Sequence, residues 1–108
     1  MTWTVSASGI TTALTTTELT LATDTTNGTY VLEVDTSNLA LGDLFEVRVY
    51  TASASAGTTA QAWKGCYQHP QINNHKISPP VASDASIKCT VTQSTGVGRT
   101  FAWKLLRI

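Results

Sequence analysis

Hydrophobic and polar positions alternate most cleanly over residues 29–50. Tyr30, Leu32 and Val34 alternate with Val31, Glu33 and Asp35, and further on Phe45, Val47 and Val49 alternate with Glu46, Arg48 and Tyr50. A period of two marks a strand with one buried face, so the spacing predicts two strands here. The link between them, residues 36–43, has turn-forming residues at both ends and Leu39 and Leu41 in its middle. A plain hairpin tip needs no leucines. The link is therefore expected to tuck over the end of a core and to cross between two sheets.

The same period recurs on either side. Trp3, Val5 and Ala7 alternate with Thr and Ser, predicting a first strand that stops at Gly9. Leu19 and Leu21 predict a second. Asn27-Gly28 is a strong turn signal, because both residues tolerate positive φ. Residues 51–58 are small and polar and read as an exposed loop. Residues 59–68 predict a strand with Trp63, Gly65 and Tyr67 in phase, Gly65 marking a bulge or a close approach of another chain. His69-Pro70 ends it, because proline has no ladder donor. Residues 72–78 predict a short edge strand, stopped by Ser78-Pro79-Pro80. Residues 86–95 predict a strand with Ile87, Cys89 and Val91 on one face, and residues 96–99 a hairpin tip. Phe101, Trp103 and Leu105 form the inward face of the last strand. No segment predicts a helix, since the threonines of residues 11–21 disfavour one. The whole, residues 1–108, is expected to be a single all-β domain: a seven- to eight-stranded antiparallel sandwich, jelly-roll-like.

Charge narrows the function classes. Charged residues make up 13% of the chain and the net charge is zero, whereas an electrostatic binder of nucleic acid shows a basic excess. Neither nucleic acid nor membrane is expected as a partner, and no apolar run approaches the ~18 residues of a membrane helix. The opening residues lack a basic and an apolar region, so no signal peptide is expected. Two cysteines are too few for a disulfide framework. Cys89 is expected to point inward and Cys66 to lie on the face opposite Trp63 and Tyr67, both as reduced, buried thiols.

No catalytic constellation emerges, and an enzyme is not expected. The chain has no Gly-x-Ser-x-Gly elbow, and its seven carboxylates are spread along it. Cys66, His69 and His75, completed by Cys89 or a distant Asp, fit no closed zinc pattern well; the histidines read as exposed loop residues. Asp35 and Asp43 flank the leucine link and have the oxygen chemistry of a calcium site, but capping of turns is the commoner use. Glu33 and Arg48 are expected to form a surface ion pair. Asn27-Gly28-Thr29 matches a glycosylation sequon but reads as a turn. Trp3, Trp63 and Trp103 each fall in phase with apolar neighbours and are expected in the core. No catalytic, cofactor or metal residue is assigned.

Three stretches carry a resemblance: TTNGTYVLEVDTSNLALGD (25–43), ISPPVASDASIKCTVTQSTG (77–96) and GRTFAWKLLRI (98–108). They resemble small all-β virion proteins of tailed bacteriophages, over roughly residues 15–108. The loop at 52–60 and the first strand match least. The resemblance implies a capsid decoration, or cement, protein. Such a protein would be made in the bacterial host cytoplasm, would bind the major capsid protein on the outer surface of the head as a monomer or a small homo-oligomer (dimer or trimer), and would stabilise the shell. No cofactor comes with it. The alternative is a carbohydrate-binding or tail-associated adhesion module using exposed aromatics.

Overall fold

A computed structural model describes residues 3–13, 17–52, 59–68, 73–83, 86–95 and 98–108. Nine strands run through it: β1 (Thr4–Thr12), β2 (Leu19–Asp24), β3 (Gly28–Asp35), β4 (Leu44–Ala52), β5 (Thr59–Gln68), β6 (His75–Ile77), β7 (Val81–Ser83), β8 (Ile87–Thr95) and β9 (Thr100–Arg107). They form two antiparallel sheets packed as a sandwich. The first, sheet A, has the order β1-β9-β3-β6, with β7 also paired to β3. The second, sheet B, has the order β2-β8-β4-β5. There is no helix among the described residues.

Chain neighbours are mostly not sheet neighbours. β3 and β4 lie in different sheets, so the link at 36–43 does cross between them. Leu39 is buried under the sandwich end, but Leu41 is 84% exposed. The Asn27-Gly28 turn and the tip at 96–99 also carry the chain from one sheet to the other, where a hairpin was expected for the latter; residues 96–97 lie outside the described set. β4 and β5 are the described strands that are consecutive in sequence and paired directly.

Strand limits differ from expectation where side-chain packing overrides local signals. β1 runs through Gly9 to Thr12. The Trp103 ring lies over that glycine, 3.4 Å from where a Cβ would stand, so Gly9 serves close packing and does not end the strand. Val81–Ser83, expected as a connection, is a short strand because the Ser78-Pro79-Pro80 break lets the chain rejoin β3 in register at Tyr30. Within β5, Gly65 is not a bulge: it pairs in regular register with Val47. The rings of Trp63 and Tyr67 close over it, with ring atoms 2.7 Å from where its Cβ would be. The bulge falls instead at Ala62, between the pairs Val49–Trp63 and Tyr50–Gln61.

The core forms from the inward faces of the central strands. Tyr30, Leu32 and Val34 from β3 meet Phe45, Val47 and Val49 from β4, with Ile87, Cys89 and Val91 from β8 and Phe101 and Leu105 from β9. Phe45 and Phe101 meet edge to face, their centroids 5.1 Å apart, a favoured aromatic geometry. One end of the sandwich is closed by polar groups. Asp43, almost fully buried, accepts from Arg99 Nε at 2.8 Å and from the Ala40 amide at 2.8 Å. Gln93, also buried, accepts from the Arg99 amide at 2.9 Å. At the other end Asp24 accepts from the Ser6 hydroxyl and from the Thr26 amide. These bonds, that from Ser6 above all, hold its carboxyl down at about 2, from an ordinary 3.8.

Two outcomes follow from these ends. Arg99→Ala leaves the Asp43 carboxylate buried without its cation. Urea unfolding should show a loss of about 3 kcal/mol, the low end for breaking a buried pair because Arg99 keeps some contact with water. Asp24 has a depressed folded-state pKa, so its bonds stabilise the fold fully above about pH 4 and are lost as the pH falls toward 2. The stability gap between wild type and Asp24→Asn, measured by thermal melts, should therefore narrow over that window.

Candidate functional site

The two outer faces of the sandwich are built differently. On sheet B the outward positions are polar and satisfy one another. Glu18 accepts from Thr90 and, at 2.7 Å, from the Tyr50 hydroxyl. Arg48 bonds Glu46 at 2.7 Å and donates to Thr92 at 3.3 Å, and Lys64 lies 3.3 Å from the other oxygen of Glu46. Lys88 sits 4.9 Å above the Tyr50 ring. Thr90 and Thr92 are buried beneath this layer. The bond from Thr90 is the chief cause that lowers the Glu18 carboxyl. Burial pushes the Glu46 carboxyl up, but Lys64 and Arg48 outweigh it and the net direction is down.

On sheet A the outward positions follow from register. Val5, Leu106 and Val31 are partners across β1, β9 and β3; Ile10 stands beside Ala102; Ser8, Lys104, Glu33 and Ile77 form a row across β1, β9, β3 and β6. Ile10 is 78% exposed, Ile77 57% and Val5 53%. Apolar groups thus surround one charged knot, in which Glu33 Oε2 lies 3.0 Å from Lys104 Nζ and 3.5 Å from His75 Nε2. Beside the knot is an open groove of about 390 Å³, lined among others by Ile10, Glu33, Asp35, His75 and Ala102. Its size falls in the range of small-ligand sites.

The structure separates the residues that sequence reasoning grouped as metal ligands. Cys66 is exposed on the outer face of sheet B, Cys89 is in the core beneath the same sheet, and His75 stands on β6 of sheet A; His69 lies outside the described residues. Among the described residues no three His, Cys, Asp or Glu side chains converge. Asp35 accepts from the Ser37 amide at 2.9 Å in a turn, and Asp43 serves Arg99, so the two do not share a site. The expected Glu33–Arg48 pair does not form, because β3 and β4 belong to different sheets: Glu33 pairs with Lys104 and Arg48 with Glu46. Cys66 is exposed where a buried thiol was expected.

The tryptophans divide. Trp63 and Trp103 pack against the core while remaining partly exposed, and Trp103 Nε1 donates to Thr11 Oγ1 at 3.0 Å. Trp3 is 43% exposed: it precedes β1 and lies outside the core where it was expected. The outer face of sheet A went unrecognised in the sequence. Its signal was present as Val31 and Leu106, apolar residues at positions whose strand neighbours in the same phase, Glu33 and Lys104, are charged. Compared with protein-family models, curated proteins and solved structures, the chain has no match in any of the three.

The thiols give a direct check on this geometry. Burial pushes the Cys89 thiol up to about 12, and the side chain has no solvent contact. Since the thiolate is the reacting species, a thiol reagent at pH 8 should titrate Cys66 alone in the native protein and both cysteines after denaturation.

Proposed function

We propose that the chain is a structural virion protein that binds a shell, of the capsid decoration type implied by its resemblance to tailed-phage proteins. The observation that carries this reading is the contrast between the two outer faces. Sheet B closes its polar groups on itself, whereas sheet A leaves isoleucine and valine in water around a single charge knot. Val5, Ile10 and Ile77 are the exposed large apolar side chains of this face, and several gathered on one face mark an interaction site where a single one does not. A sheet face of this extent suits a broad protein partner, with the knot fixing register and the apolar side chains supplying burial. The partner in this reading is the major capsid protein, on the outside of the head. Binding by several copies over a repeating lattice would brace neighbouring subunits through many modest contacts. We read the strand orders, 1-9-3-6 facing 2-8-4-5, as those of a jelly roll, an architecture shared by capsid and lectin domains. No catalytic role is proposed.

One observation favours a second reading. The groove beside Glu33, Asp35 and His75 is also lined by Trp103, which gives it the polar and aromatic chemistry of a sugar site. A clear hit on a glycan array would favour the carbohydrate-binding alternative.

The docking reading makes a salt prediction. Binding dominated by apolar burial should persist as salt rises from about 0.1 to 1 M, while the Debye length falls from ~10 to ~3 Å. Particles carrying the protein should keep their DNA to higher temperature than particles lacking it, and Ile77→Lys should reduce occupancy with an unchanged circular dichroism spectrum. Release at moderate salt, or full occupancy by Ile77→Lys, would overturn docking through sheet A. Equal heat stability with and without the protein would overturn the cementing role.

A further inference from the structure

The sandwich has four sheet edges, and three of them are blunted. Next to β3, the edge is split into β6 and β7, three residues each, with Pro79 and Pro80 between them. Of the edge strand expected over residues 72–78, the described part forms β6, which is three residues long; residue 72 lies outside the described residues. β2 has six residues, a bulge at Leu21 and Asp24 at its end. β5 is long but carries a bulge at Ala62 and the charge of Lys64. Short strands, prolines, bulges and lysines are the devices that stop one edge from pairing with another.

β1 is different. It has nine residues, no proline and no charged side chain. Its bulge, at Ser6, is confined to one end, where the Ser6 hydroxyl is held by Asp24. Residues 7–12 then run in unbroken register against β9, and among the described residues β1 pairs with no other strand.

We propose that the free edge of β1 pairs antiparallel with β1 of a second copy, joining two sheets A into one. A strand without charge meets its own copy with no like charges opposed, the condition that antiparallel self-pairing must satisfy. Such a contact is isologous and closes at two copies. A two-fold axis normal to the sheet keeps outer face on outer face, so Ile10 of each copy stands at the seam and the apolar surface runs across it. The self-pairing stands without the shell reading. The consequence that the pair offers two docking faces in one plane rests on it.

Sedimentation equilibrium of the full chain, without capsids, tests this. The expected result is a species of twice 11.5 kDa at high concentration. Ile10→Lys and Val5→Lys, both at exposed positions, should weaken it about tenfold or more by placing charge at the junction, with circular dichroism showing that each variant is folded. In a Cys66→Ser background, Ile10→Cys, at the position that meets its own copy across the two-fold, should form a disulfide-linked dimer under mild oxidation. A monomer at every concentration would overturn the proposal, as would a dimer that survives both lysine substitutions. Failure here leaves capsid occupancy, measured separately, unaffected.

Discussion

The fold depends on one seal: the apolar contact between two sheets that share almost no consecutive strands. Phe45 and Phe101 meet across it, and Tyr30, Leu32, Val47, Val91 and Leu105 fill it. Burial of that area is the dominant favourable term available to a domain of this size. The polar ends are its complement. The crossing chain must turn at the sandwich rims, where backbone and side-chain groups lose water, and Asp43, Arg99, Gln93 and Asp24 supply the missing partners. An unpaired group there would cost about 1–3 kcal/mol. The rims thus limit how far the seal can extend.

With its interior committed to packing, the molecule has its outer faces left for function. On sheet B, Arg48, Glu46, Lys64 and Glu18 bind one another over Thr90 and Thr92, giving a layer that offers little unmet bonding to a partner. On sheet A, Lys104 and His75 serve Glu33, while Ile10, Ile77 and Val5 stand exposed. The decoration reading places the partner on the second face. That placement uses surface chemistry alone and needs no ligand, metal or cofactor.

Much of the fold was legible in the sequence and little of the site. The period of two located most strands, and the inward phases of Tyr30, Phe45, Cys89 and Leu105 were read directly, because burial on one face imposes alternation. The crossing at 36–43 was legible through Leu39. Pairing was not. Nothing local distinguishes a turn that closes a hairpin from one that carries the chain to the opposite sheet, so residues 96–99 were misread and Glu33 was matched with Arg48. Gly9 and Gly65 were misread for a related reason, since only the tertiary fold shows that Trp103, Trp63 and Tyr67 lie over them. The face of sheet A depends on register among β1, β9, β3 and β6, strands far apart in the chain, and register is a property of the assembled sheet.

The position of β9 bears on how the molecule comes into being. β9 is the last of the nine strands to be synthesised, yet it lies between β1 and β3 and bonds to both. Until it emerges from the ribosome, β1 has no partner in sheet A and the core lacks Phe101 and Leu105. Early segments must therefore wait with apolar faces uncovered, and closure of such distant pairings is slow. The nascent chain would depend on low charge density being offset by its many hydroxyl groups, or on a chaperone, to remain dispersed during that interval.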